Sequence, residues 1–160
     1  MTLDHQQYMR IALDLGREAA ARGNRPLGSL LVDSAGAVVS RGENRVYTDH
    51  DPTAHGEMVV IREACRKLGT LDLAGHTLYT SLEPCPMCCW AILESKVSRL
   101  VLGARHTAIG RTDLGSYSVE KMMELTGRSV ELVTGVLSRE CEEMRLAWVA
   151  ERAKRGLGPR

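Results

Sequence analysis

Four residues in this chain have types and spacings that could do chemistry together: His55 and Glu57, two apart, and Cys85 and Cys88, three apart. A Cys-x-x-Cys spacing at the start of a helix puts both sulfurs on one side of a single turn, where they can chelate one ion. An imidazole from a second segment would make three protein ligands and leave the fourth tetrahedral position for water, which is how a catalytic zinc differs from a structural one. Glu57 is then free to handle protons, because zinc brings the pKa of a bound water toward neutrality and a nearby carboxylate can accept what it releases. Two other readings of the cysteines exist. A closed zinc knot would recruit Cys65 or Cys141 as a fourth ligand, and a redox dithiol would use Cys85 and Cys88 alone. Neither gives Glu57 a task, and Cys65 and Cys141 read as small buried apolar residues.

The elements that must position these residues follow from periodicity. Apolar residues at near-helical spacing predict a helix from about Leu3 to Arg22, stopped by Gly23, Asn24 and Pro26. Two short strands, 28–32 and 37–41, flank a turn at Asp33-Ser34-Ala35-Gly36. A polar loop leads to a helix from about Ala54 to Leu68, for which Thr53 is the expected N-cap. A strand over 77–82, a helix over 85–95 that Pro84 introduces and a strand over 99–103 complete the centre. An irregular stretch then precedes a helix near 119–125, a strand near 129–133 and an amphipathic helix over 138–153. Both metal-type pairs thus fall in first helical turns, where partial positive charge and free N–H groups stabilise thiolates. The element order implies an α/β fold with a five-stranded, mostly parallel sheet between helical layers.

Composition agrees with one domain spanning 1–160, with residues 152–160 as a basic, frayed tail. A chain of 160 residues that is 44% hydrophobic and 26% charged can bury roughly 70% of its unfolded surface. Lys+Arg 21 against Asp+Glu 20 is not the balance of a broadly basic nucleic-acid binder, although a local basic patch stays open. The N-terminus lacks the basic and apolar regions of a secretory signal, and no apolar run is long enough for a bilayer, so a cytoplasmic protein is expected. Five cysteines, three of them crowded into 85–89, do not form a disulfide framework. With no Phe, four Tyr and two Trp, few residues are on hand to stack on bases.

His55-Gly56-Glu57 with Pro84-Cys85-Pro86-Met87-Cys88 matches the H-x-E…P-C-x-x-C pattern of zinc deaminases. The chain resembles the cytidine-deaminase-like superfamily, in the branch of guanine deaminases, fungal-type cytosine deaminases and tRNA adenosine deaminases. The resemblance runs through Pro26-Leu27-Gly28, Gly42-Glu43-Asn44, 51–57, 78–88 and Gly135-Val136-Leu137 with Glu140-Cys141, which is nearly the whole chain. It implies a three-layer α/β/α fold with a mixed, mostly parallel five-stranded sheet. It further implies one Zn²⁺ per chain held by His55, Cys85 and Cys88, with Glu57 as the catalytic acid–base, and a homodimer.

The resemblance also implies that Asn44 hydrogen-bonds the base and that groups around Leu82 and Glu83 meet the exocyclic amine. His106 and Asp113 border the substrate pocket by the same analogy, and Tyr47 would stack near Asn44. Trp90 and Trp148 read as core or dimer-interface residues that could also close the pocket. Gly56 resembles cytosine deaminases, whereas 83–88 resembles guanine deaminase. Near-zero net charge and Trp90 speak against a tRNA substrate; Asp51-Pro52-Thr53-Ala54, Gly103-Ala104-Arg105 and the basic tail speak for one. The expected function is therefore hydrolytic deamination of a free amino-substituted nucleobase of cytosine or guanine type. The alternative is tRNA adenosine-to-inosine deamination, and a non-catalytic zinc- or nucleic-acid-binding module is the alternative from another class.

Overall fold

The computed structural model describes residues 3–158. Asp4 accepts hydrogen bonds from the backbone N–H groups of Gln6 and Gln7 and so starts α1 (His5–Ala21), which buries Met9, Ala12, Leu13 and Ala19 along one face. A hairpin of β1 (Gly28–Val32) and β2 (Val38–Glu43) turns at Asp33, whose carboxylate accepts from Ala35 N and Ala37 N. The chain continues through α2 (Gly56–Leu68), β3 (Thr77–Leu82), α3 (Pro86–Glu94), β4 (Arg99–Ala104), α4 (Val119–Thr126), β5 (Glu131–Val133) and α5 (Ser138–Lys154).

The five strands form one sheet in the order β2-β1-β3-β4-β5. β1 is antiparallel to both β2 and β3, while β3-β4 and β4-β5 are parallel. Four strands therefore point one way and β1 alone opposes them, which is the mixed, mostly parallel sheet expected. Alternate residues feed opposite layers, as the two-residue period of a strand requires. Leu31, Leu78, Leu100 and Leu102 pack under α2, α3 and α4. Leu30, Val32, Tyr79 and Val101 pack under α1 and α5. Both faces are covered, so the strand sequences read as apolar runs rather than alternating ones. Gly28 marks the closest approach of α1 to the sheet, since a Cβ there would fall 2.1 Å from the Ala12 carbonyl oxygen.

Strand direction decides what can meet. The carboxyl ends of β2, β3 and β4 and the amino end of β1 all lie at one edge of the sheet, so Asn44, Cys85, His106 and Arg25 are delivered to one place. Ligand sites in sheets of this kind sit at such an edge.

Several boundaries differ from expectation, and α3 starts at Pro86 with Cys85 as its N-cap rather than at Cys85 behind Pro84. Thr53 does not cap α2; its N–H and hydroxyl both go to Asp51 Oδ1 at 2.7 Å, and His55 is the N-cap. Arg152 belongs to the last turn of α5 rather than to a frayed tail, and the chain after it folds back, with Leu157 N donating to Arg152 O at 2.9 Å. No helix among the described residues is long and apolar enough to cross a membrane.

Candidate active site

His55 and Cys85 occupy equivalent positions, each the extended N-cap residue of its helix, and neither side chain makes a capping hydrogen bond. Ordinary N-cap side chains turn back to bond their own helix. These two turn toward each other instead. His55 Nδ1 lies 3.6 Å from Cys85 Sγ and 3.5 Å from Cys88 Sγ. A tetrahedral zinc with ordinary Zn–N and Zn–S bonds holds such atoms about 3.6 Å apart, so the donor set is the right size for that ion. The three ligand atoms all lie within 4.8 Å of one another. Cys85 is also primed chemically. Its thiol is pulled down to about 3 by the hydrogen bond from Cys88 first and by His55 next, against the opposing effect of burial.

The Asp51 turn and a hydrogen bond from Arg45 N to Ala54 O fix the approach to His55. Pro86 at the first helical position does the same after Cys85. Cys88 lies one turn into α3 and is fully buried.

Glu57 lies in the first turn of α2, 4% exposed, with Oε1 accepting from Thr80 Oγ1 at 3.3 Å. Its other oxygen, Oε2, is buried without a well-formed partner. Burial pushes its carboxyl above the usual range, opposed chiefly by His55. A buried carboxyl with one uncommitted oxygen and a raised proton affinity suits a group that must both take and return a proton.

Asn44 is completely buried. Its backbone N–H donates to Leu27 O and its Oδ1 accepts from Val46 N, while Nδ2 has no acceptor. His106 is 3% exposed, and neither of its ring nitrogens has a well-formed hydrogen bond. Burial, then Arg111, lowers its pKa. Orphaned buried polar atoms are rare in folded proteins. Here Glu57, Asn44 and His106 contribute four of them, and all three residues follow β2, open α2 or follow β4 beside the same sheet edge.

Glu83 is expected at the substrate through backbone groups, and its carboxylate is spent inside the protein: Oε1 accepts from Arg105 and from Val119 N, and Oε2 accepts from His106 N. The side chain ties the ends of β3 and β4 to the start of α4 and holds the backbone of His106. Arg105 continues the clamp to both oxygens of Glu120, whose carboxyl is held down to about 2 mainly by that hydrogen bond. A carboxyl lowered in the folded state stabilises it above the unfolded value, near 4.5, and that contribution disappears as pH falls toward 2. Melting temperatures followed from pH 6 to pH 2.5 are expected to fall less steeply in Glu120→Gln than in the parent.

Asp113 is exposed and paired with Arg111 at 2.8 Å. Tyr47 borders the site, with the Arg25 guanidinium 5.6 Å from its ring. Trp90 is neither core nor pocket wall; it is 43% exposed on α3 and stacks with Arg128 at 4.7 Å. Sequence reasoning missed Arg25, whose Nη1 lies 3.5 Å from His55 Nε2. Its only signal was its place beside Pro26 at the entry to β1.

Gly56 has a packing explanation. A Cβ there would lie 3.2 Å from Ser29 Oγ and 3.3 Å from the Gly42 carbonyl oxygen. Gly56→Ala is therefore expected to lower stability, by about 1–2 kcal/mol for a tight fit, and adding Ser29→Ala is expected to restore part of it. Denaturant midpoints of the two single variants and the double variant measure that coupling.

Residues 2–104 match the family model for the cytidine and deoxycytidylate deaminase zinc-binding region. The chain belongs to that family. Zinc is its metal, and the His55, Cys85 and Cys88 cluster fits it. This deaminase-family chain is 39% identical to the tRNA-specific adenosine deaminase of Bacillus subtilis over 155 residues, 97% of this chain and 94% of that one. A solved structure from work on A-to-I editing by tRNA:A34 deaminases aligns with a TM-score of 0.75 at 34% identity, covering 86% of this chain and 98% of the other. The guanine deaminase from Nitrosomonas europaea aligns with a TM-score of 0.80 at 28% identity, covering 92% and 86%.

Proposed function

We propose that this zinc deaminase converts adenosine to inosine in transfer RNA. The observation that carries the reading is the 39% identity to a tRNA-specific adenosine deaminase, which runs nearly end to end in both chains. The sequence features that favoured a free base are weak against it. Gly56 answers to Ser29 and Gly42 rather than to a substrate, Trp90 stacks on Arg128 at the surface, and a net charge of +1 averages over local arginines.

The reaction exchanges the amino group on an aromatic carbon for the oxygen of water and releases ammonia. His55, Cys85 and Cys88 would hold the zinc, which when bound would supply a water acidic enough to lose its proton near neutral pH. Glu57 takes that proton on Oε2 and returns it to the departing amine. Asn44 offers Nδ2 as a donor to the base edge, and His106 offers its ring nitrogens to the substrate. Glu83 holds His106 in place. The homodimer belongs to the same proposal, with the exposed Trp90 face of α3 as the surface a second copy covers.

A free guanine-type base is the second reading, favoured by the TM-score of 0.80 to a guanine deaminase over 92% of the chain. One experiment separates the two. Zinc-loaded protein is incubated with a tRNA carrying adenosine at the wobble position and, separately, with guanine, cytosine, adenine and adenosine, and inosine and ammonia are measured. Inosine in the tRNA, with binding that weakens steeply as salt rises, is the expected result. Ammonia from guanine with the tRNA untouched overturns the proposal in favour of the second reading.

A further inference from the structure

Strand alternation places a polar pair where an apolar one would pack. Leu31, Leu78 and Leu100 lie side by side across β1, β3 and β4 beneath α2, α3 and α4. Two residues along, the next row on the same face reads Gly42, Ser29, Thr80 and Leu102 from β2 to β4. Ser29 and Thr80 are direct cross-strand partners in that row, 0% and 1% exposed. Two hydroxyls at such a depth cost free energy unless each finds a partner, and an apolar pair of the same size would carry no such cost.

The partner comes from α2. Gly42 and Gly56 bring its first turn down onto this row: a Cβ on Gly42 would lie 2.9 Å from the Gly56 carbonyl oxygen, and one on Gly56 would lie 3.2 Å from Ser29 Oγ. Glu57, the next residue, then meets Thr80. Ser29 Oγ donates to Thr80 Oγ1 at 3.1 Å, and Thr80 Oγ1 faces Glu57 Oε1 at 3.3 Å and the Leu82 carbonyl oxygen at 3.1 Å. A threonine hydroxyl has one hydrogen, so it serves one of these acceptors at a time. With a lone pair of Thr80 already engaged by Ser29, that hydrogen is left to point outward, and a carboxylate oxygen is the stronger acceptor of the two.

The two oxygens of Glu57 are thereby made unlike. Oε1 is met from the sheet by the hydroxyl pair, while Oε2 is buried and uncommitted, two residues along from His55. A carboxylate at the end of a rotatable side chain can present either oxygen in a range of orientations; a fixed donor on one of them selects the orientation of the other.

We infer that Thr80, backed by Ser29, is a positioning residue: its hydroxyl holds Oε1 of Glu57 against β3 and so keeps Oε2 turned to the metal site. The inference rests on the reading of Glu57 as the group that moves protons there, and it gives a task in that reaction to two residues outside the ligand cluster.

The test uses the zinc-loaded full chain with the wobble-adenosine tRNA as substrate, or guanine should guanine be the compound turned over. Thr80→Val keeps the shape and removes the hydroxyl; it is expected to lower kcat about tenfold, with KM within about twofold of the parent and one zinc retained per chain. Thr80→Ser, which restores a hydroxyl, is expected to return kcat to within about threefold of the parent. On the residual activity of Glu57→Ala, Thr80→Val is expected to have no further effect, because the carboxylate it positions is gone.

A second readout needs no turnover. Denaturant midpoints of the metal-free parent, Thr80→Val, Glu57→Ala and the double variant form a cycle. Thr80→Val is expected to lower the midpoint more in the parent than beside Glu57→Ala, since only the parent is left with a buried Oε1 that has lost its donor. Parent kcat in folded Thr80→Val, or a kcat as low in Thr80→Ser as in Thr80→Val, overturns the positioning role and leaves the pair as packing. Ser29→Ala covers the case in which Thr80→Val does not fold: it removes the donor behind Thr80 and is expected to lower kcat about threefold, and parent kcat there overturns the proposal. If Glu57→Ala keeps parent activity while the stability cycle is non-additive, the acid–base reading falls and the hold of Thr80 on the carboxylate stands. An additive cycle beside an inactive Glu57→Ala overturns the hold and leaves Glu57 its role.

Discussion

Replacing Glu57 by alanine is expected to lower kcat by about 10³-fold or more while leaving one zinc ion per chain. General acid–base catalysis by a positioned group contributes about 10²- to 10⁴-fold, and Glu57 is the carboxylate proposed for both proton transfers. It is not a ligand in the cluster of His55, Cys85 and Cys88, so the metal does not depend on it. Stability tells the same story from another side. A buried carboxyl whose pKa is raised costs the fold most when it is charged, so the metal-free Glu57→Gln protein is expected to melt no lower than the parent at neutral pH. Metal analysis beside single-turnover rates decides the matter; activity retained in Glu57→Ala, or zinc lost from it, would remove Glu57 from the acid–base role.

Losing a ligand is expected to be as severe by a different route. Cys88→Ser and His55→Ala should each leave the protein with far less than one zinc per chain and with activity at background, and added zinc should not rescue them at micromolar concentration. Three protein ligands are the minimum that keeps a catalytic zinc while an open position remains. Chelation of the parent is expected to lower its melting temperature, because an ion that binds only the folded chain stabilises it by mass action. The effect should be concentrated at the junction of α2 and α3, whose N-cap residues give up capping bonds to become ligands. Hydrogen exchange of the amides of 56–59 and 86–89, with and without zinc, reads that coupling. Equal protection in both states would separate the metal from the stability of these helix starts.

The candidate metal cluster and the neighbouring Glu57 were legible in the sequence because their placement is local. Cys85 and Cys88 are placed by one helical turn and His55 and Glu57 by the start of another, although the start signals read from Pro84 and Thr53 belong to Pro86 and Asp51 in the structure. The element order was legible for the same reason, since the apolar periods of α1, α2, β3 and β4 report the local conformation that buries them. Substrate choice was not. Gly56 resembled one subfamily's motif, yet Ser29 and Gly42 crowd its missing Cβ from β1 and β2. Glu83 was placed near the substrate by the backbone that precedes the metal loop, and nothing in the residues around it signalled that its carboxylate is held by Arg105, His106 and Val119, more than twenty residues away. Trp148 read as a core or dimer-interface residue, whereas in the folded chain its ring lies beside the guanidiniums of Arg145 and Arg152. Side-chain identity and short spacing determined which atoms could bind zinc; which polar groups stay uncommitted around that zinc depends on strand order and on partners distant in the chain, and only the packed structure fixes those.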